Sequence, residues 1–79
     1  MPRYFFDSFD GARLVRDDEG LELGGIEEAR DAAIAGLADL ARDVLPGAHR
    51  RELAIEVRDT GDRRLLRASL LFEVSVLRQ

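Results

Sequence analysis

The residues that could carry acid–base or nucleophilic chemistry are few. The chain has one histidine, His49, beside two arginines after a helix-stop signal, and serines at positions 8, 69 and 75. General acid–base catalysis needs an oriented partner in a pocket, and a lone histidine in a polar loop is typically solvated. The sequence has no phosphate-binding or dinucleotide-binding glycine motif and no nucleophile elbow. We therefore expect no enzymatic activity, no catalytic residue and no cofactor.

Carboxylates are concentrated near the start of the chain, where they could gather around a hard cation such as Ca²⁺ or Mg²⁺. The residues concerned are Asp7, Asp10, Asp17, Asp18 and Glu19. Their spacing is not that of an EF-hand loop, and Asp and Gly are the residues that tight turns require. We expect turns here and no metal site.

The composition narrows the class of protein. The chain has 79 residues, 46% of them hydrophobic, which suits one small domain over residues 1–79. Its 12 basic residues, all arginine, face 16 acidic ones, and a net charge of −4 does not suit a general nucleic-acid binder. There is no cysteine, no run of about 20 apolar residues and no visible signal peptide. These features predict a cytoplasmic protein without membrane segments.

Hydrophobic periodicity predicts the elements that must position any site. Apolar residues recur at helical spacing along one segment, which Pro46-Gly47 ends, and they alternate with period two along four others. The predicted order β-β-α-β-β places strands at Arg3–Phe9, Ala12–Arg16, Arg51–Asp59 and Leu66–Val76, and a helix at Ile26–Leu45. Hairpins at both ends favour an α+β domain, a four-stranded antiparallel sheet with one helix packed on one face. Within the helix we expect Gly36 to be tolerated rather than required.

Three consecutive aromatic residues, Tyr4, Phe5 and Phe6, open the first strand. Side chains alternate across a strand, so Tyr4 and Phe6 share one face and Phe5 lies on the other. One helix covers one face only, so at least one aromatic side chain must lie on the uncovered face. An exposed aromatic patch indicates an interaction site, unless arginine stems cover it.

The last strand is longer than its partner can pair. Apolar residues continue at every second position through Phe72, Val74 and Val76. The surplus segment of about residues 72–77 could extend the sheet, form a lid or contact a second copy. A chain this small also gains stability from the area buried in a dimer. We therefore predict an interface made by Tyr4, Phe6, Phe72, Val74 and Val76.

Several short motifs together resemble a known family. The chain opens Met1-Pro2-Arg3-Tyr4-Phe5-Phe6-Asp7, and Asp10-Gly11, Asp18-Glu19-Gly20 and Asp59-Thr60-Gly61 follow at turns. This pattern is similar to a family of small bacterial proteins of unknown function, common in rhizobia and their relatives. The resemblance implies no activity and no catalytic residues. The helix start Glu27-Glu28-Ala29 gives a weaker, fold-level likeness to HicB-type antitoxins.

These observations favour one functional class over another. We expect a non-enzymatic protein-interaction module that forms a homodimer and binds an unidentified protein partner. The alternative is an antitoxin-like or nucleic-acid-binding regulator, which arginine and aromatic residues on a sheet face could support.

Overall fold

Antiparallel pairing organises the chain in the computed structural model, which describes residues 1–78. The elements are β1 (Arg3–Asp10), β2 (Arg13–Val15), β3 (Leu21–Glu22), α1 (Ile26–Val44), β4 (Arg50–Arg58) and β5 (Arg64–Glu73). The predicted α+β class is confirmed. The sheet differs from the prediction in having a fifth strand, because the dipeptide β3 pairs with the start of β1.

The strand order of the sheet is β2-β1-β4-β5. β2 pairs with the end of β1 and β3 with its beginning, and every strand pair is antiparallel. The two short strands lie along the same edge of β1, because backbone groups of alternate residues point to opposite edges of a strand. Pro2 O, which accepts from Leu23 N–H, belongs to the even-numbered set that faces β2 and β3. Gly11 N–H, which donates to Glu52 O, belongs to the odd-numbered set that faces β4. Residues 16–20 separate β2 from β3 along this edge.

Helix α1 covers one face of the sheet, mainly over β4 and β5. Glu27 and Glu28 lie in its first turn and Arg42 in its last, where the helix dipole favours their charges. Its N-cap, Gly25, makes no side-chain cap hydrogen bond. The helix ends at Val44, before Pro46, because proline has no N–H to continue the helical ladder.

The core lies between α1 and the covered face. Its buried members are Tyr4, Ala29, Ala33, Ile55 and Val57, and the half-buried Phe6, Leu23, Leu37 and Leu66 pack against them. The small residues of the helix let its backbone approach the sheet closely. A Cβ added at Gly36 would lie 3.0 Å from Ile55 Cδ1, a tight contact with the end of one core side chain.

The other face of the sheet, which we call the open face, carries Phe5, Asp7 and Phe9 of β1. These residues alternate with the core residues Tyr4 and Phe6, as the period-two pattern predicts. The open face therefore combines aromatic and charged side chains.

Gly20 provides a test of this architecture, because the chain turns back there to begin β3. Its φ is +72°, and an added Cβ would lie 2.9 Å from both Tyr4 O and Phe5 Cε2. Gly11 has a similar φ of +63° but nothing within 4 Å of its added Cβ. We expect Gly11→Ala to lower the free energy of unfolding by about 1–2 kcal/mol through backbone strain alone.

Gly20→Ala should lower the unfolding free energy by about 1–3 kcal/mol more than the Gly11 change, because a backbone contact is added to the same strain. Urea denaturation monitored by circular dichroism measures both. Equal losses in the two variants would contradict the close approach of residue 20 to β1.

Candidate functional site

The single histidine and the three serines do not come together. His49 is exposed before β4, and its backbone carbonyl accepts a hydrogen bond from Val74 N–H. Ser8 is half-buried in β1, and Ser69 is exposed on β5. Within residues 1–78, no hydrogen bond joins a serine hydroxyl to His49. This arrangement is not that of a nucleophile and its base.

Charged residues with a buried centre form a cluster on the open face instead, which we call the acid–arginine cluster. It consists of Asp7, Arg16, Asp17, Arg58 and Asp62. Asp7 is 3% exposed and Arg58 is 6% exposed. Arg58 Nε donates to Asp7 Oδ2 at 2.9 Å, its Nη2 to Asp17 O at 2.6 Å and its Nη1 to Asp62 Oδ1 at 3.2 Å. The guanidinium therefore joins β4, β1 and the loop between β2 and β3.

Asp17 occupies the gap that β2 and β3 leave along the edge of β1. Its Oδ2 accepts a hydrogen bond from Phe6 N–H at 3.0 Å, where no strand residue is present to accept it. Its Oδ1 accepts from the amides of Glu19 and Gly20. Its own amide donates to Asp7 Oδ1 at 2.9 Å. One carboxylate thus closes the gap in this edge and shapes the loop.

The cluster favours the charged state of Asp7 and of Asp17. Burial acts to raise the pKa of Asp7, but the hydrogen bonds from Arg58 and from the Asp17 amide, with nearby positive charge, outweigh it and lower the pKa. At Asp17 burial again acts to raise the pKa, but three backbone amides with the charge of Arg58 outweigh it and lower the pKa. The hydrogen bond to Asp7 raises the pKa of Arg58.

The cluster satisfies its own polar groups. No buried side-chain nitrogen or oxygen in residues 1–78 lacks a hydrogen-bond partner. Across the same residues, no group of three or more His, Cys, Asp and Glu side chains is placed to hold a metal ion. The carboxylates of Asp7, Asp10 and Asp17, which the sequence offered for a cation, are instead bound to arginine or to backbone amides.

The aromatic residues divide between the two faces. Tyr4 is only 7% exposed and lies in the core, and Phe6 packs against that core. Helix α1 therefore covers the two aromatic residues that the predicted interface assigned to a partner. On the open face, Arg58 lies 4.6 Å from the Phe5 ring centroid and Arg67 lies 5.0 Å from that of Phe9. Arginines cover these rings, which is the alternative that the sequence left open.

The C-terminal residues of the predicted interface lie on and beyond β5. Phe72 pairs with Arg51 and is half-buried, so it extends the sheet. Val74 makes one more backbone bond, to His49, and is 48% exposed, while Val76 is 84% exposed. Residues 74–78 are exposed and do not form a lid over the sheet. The role of these residues in an interface stays a prediction.

The outer edge of β5 has no partner strand among residues 1–78. β5 has ten residues and, among residues 1–78, pairs with β4 alone. Hydrogen-bonded pairs alternate along an antiparallel ladder, and Val74 N–H points to β4. The even-numbered residues of the regular part of β5 therefore bond to β4. The backbone groups that point outward there belong to the odd-numbered residues Arg67, Ser69, Leu71 and Glu73.

A shallow surface pocket of about 290 Å³ adjoins this edge on the open face. Phe9, Ala54, Arg67, Ser69 and Leu71 are among the residues that line it. Leu71 is 57% exposed. The edge of β5 therefore combines outward backbone groups with exposed apolar side chains, and we take it as the candidate interaction site.

Sequence reasoning found part of this site. The long apolar C-terminal strand indicated the edge, and the residue types at 17–20 indicated the turn that Asp17 shapes. The pairing of Arg58 with Asp7 was missed, because the two residues are 51 positions apart. An arginine at the end of a strand, with a carboxylate diagonally across from it on the neighbouring strand, was the available signal.

Comparison with known proteins identifies a family. Residues 3–71 match the family model described as "Domain of unknown function (DUF6894)". Neither a curated protein nor a solved structure matches the chain significantly. No helix within residues 1–78 combines the length and apolar character that crossing a bilayer requires.

The lowered pKa values of Asp7 and Asp17 predict acid lability. A carboxylate whose folded pKa is depressed stabilises the fold fully above its unfolded pKa of about 3.8–3.9, and this contribution is lost as pH falls through the folded value. We expect the free energy of unfolding to fall steeply from about pH 5 to pH 2. Urea denaturation across this range measures the loss.

Asp17→Asn tests the cause of this lability. The variant should lose about 1–3 kcal/mol at pH 7, because an amide cannot accept all the bonds of the carboxylate. Its stability should also depend less steeply on pH below about 5. The neighbouring change Asp18→Asn, at an exposed side chain, should leave the stability at pH 7 unchanged. A wild-type acid profile in Asp17→Asn would contradict the role of the cluster.

Proposed function

The chain belongs to the DUF6894 family, and we propose that it is a non-enzymatic protein-interaction module whose two copies pair through the outer edge of β5. The observation that carries the proposal is that edge. It runs for ten residues, contains no proline or glycine, and presents backbone donors and acceptors beside exposed leucines. Such an edge is a template for pairing with another strand.

The opposite edge of the sheet is closed to pairing, which supports this choice. β2 has three residues, β3 has two, and the loop between them covers the middle of β1. Asp17 accepts the hydrogen bond of Phe6 N–H that would otherwise point outward. Short strands and an inserted loop are common protections of an edge. The ladder between β4 and β5 shifts register near Val57 and Arg58, at one end of β5, but the remaining length of that strand is regular.

The surface area also supports a dimer. The accessible surface is 5645 Å², whereas a folded monomer of 8.8 kDa exposes about 4,800 Å². The excess is comparable with the roughly 800 Å² that each partner buries in a standard interface. An elongated shape, 55 × 22 × 17 Å, is consistent with this excess.

The arginines support the interaction module over the nucleic-acid-binding alternative. Arg58 and Arg51 each contact an aspartate, and Arg64 and Arg67 both contact Glu56. Their four positive charges face three carboxylates, so most of this charge is compensated within the chain, which weakens the case for a phosphate-binding surface. The absence of assembled catalytic groups in residues 1–78, described above, favours binding over catalysis.

Light scattering at tens of micromolar tests the proposal. We expect a mass of twice the 8.8 kDa of one chain. Ser69→Pro should give a folded monomer, because it removes an outward N–H and leaves the ladder to β4 intact. The matched control Ser69→Ala keeps that N–H and should remain dimeric. A wild-type mass near 8.8 kDa that does not change with concentration would refute the proposal.

A further inference from the structure

We infer that two copies pair their β5 strands antiparallel about a two-fold axis at Leu70, which joins the two sheets into one continuous sheet. This inference rests on the proposed function and adds its register. The axis is perpendicular to the sheet, so both copies of α1 lie on the same face and the open faces adjoin.

The backbone restricts the registers that are available. In the regular part of β5, Arg67, Ser69, Leu71 and Glu73 point their N–H and C=O groups outward, as the ladder to β4 requires. In a two-fold antiparallel pair, an outward residue of one copy must face an outward residue of the other. An axis at Leu70 meets this condition, with Arg67 opposite the second copy's Glu73 and Ser69 opposite its Leu71. All four outward residues are then hydrogen-bonded.

Charge complementarity selects this register over its neighbours. With the axis at Leu70, Arg67 and the second copy's Glu73 lie directly opposite on the open face, twice per dimer by symmetry. With the axis at Leu71, Arg67 would face Ser75 and Glu73 would face Ser69. With the axis at Ser69, Arg67 would face Leu71 instead. Opposite charges placed directly across from one another stabilise an antiparallel pair, and an apolar neighbour provides no such gain.

The covered face is complementary in the same register. Leu70 faces its own copy across the axis, Ala68 faces the second copy's Phe72, and Leu66 faces its Val74. Leu70 and Val74 are among the exposed apolar side chains of the single chain. Every residue on this face thus lies opposite an apolar one, with the small Ala68 opposite the large Phe72, and the segment beyond β5 gains a strand to pair with. This explains why the apolar pattern continues past Glu73.

Single cysteines test the register directly, since the chain contains none. With Leu70→Cys, the two introduced thiols belong to a non-hydrogen-bonded pair at the axis, whose Cα atoms lie about 4.5 Å apart, within disulfide range. In this register, a cysteine at position 69 or 71 lies two residues along the strand from the same position in the second copy. The Cα atoms of the two cysteines in Ser69→Cys or Leu71→Cys are then farther apart than the roughly 7 Å limit for a disulfide. We expect Leu70→Cys alone to cross-link under mild oxidation, to near completion on a non-reducing gel.

The outcomes of the cross-linking and the light scattering distinguish a wrong register from the absence of a dimer. If wild type is dimeric and Leu71→Cys or Ser69→Cys cross-links instead, the register is wrong and the proposed function stands. If wild type is monomeric, both fail. Each variant's circular dichroism spectrum shows that it is folded.

Charge reversal gives a second measurement that does not depend on cysteine. Arg67→Glu and Glu73→Arg should each weaken the dimer by about tenfold in Kd, because like charges then face one another twice per dimer. The double variant restores opposite charges across the axis. Within each chain Glu56 and Arg50 lose one partner each but keep Arg64 and Glu52 respectively. Recovery of the wild-type Kd to within a few-fold is expected. A double variant weaker than either single change would overturn the register.

Discussion

The ion pair between Arg58 and Asp7 is the constraint on which the rest of the structure depends. Two charges removed from water are costly unless every hydrogen-bonding group has a partner, and here the Asp17 loop provides the remaining partners. The pair fixes β1 beside β4 and holds residues 16–20 against the sheet. Removing either partner alone should be strongly destabilising, because it leaves an uncompensated charge inside the fold.

The position of that loop makes the two edges of the sheet different. Asp17 closes the edge of β1 between two very short strands, so the backbone there has little left to offer another chain. Along β5, residues 1–78 provide no comparable element. The helix cannot serve this purpose, because α1 packs on the face over β4 and β5 rather than beside the last strand. The sheet is consequently open on one side only, which favours a closed pair of copies over an extended filament.

Short sequence patterns predicted the features of the fold that depend on interactions between residues close together in the chain. The helix was predicted at Ile26–Leu45 and runs Ile26–Val44, because apolar spacing and a following proline define it within its own sequence. The alternation of Tyr4 to Phe9 was also correct, yet alternation alone does not say which face a helix covers. β3 was missed as a sheet strand because two residues carry no periodicity. The partner of Arg58 was missed because pairing across 51 positions is set by register, which no short segment determines.

A binding site made of backbone groups places few requirements on residue type, so it is difficult to recognise in a sequence. Catalytic and metal sites need particular side chains at particular spacings, so a sequence pattern can indicate them. Strand pairing needs only an extended segment with its outward N–H and C=O groups accessible, and many sequences meet this condition. The choice of β5 therefore rests on the unequal edges of the sheet, while Arg67 and Glu73 distinguish one register from its neighbours. In the proposed dimer, Ser69→Pro removes a backbone donor whatever the register, whereas the effect of a charge reversal at Arg67 or Glu73 depends on which residues face each other.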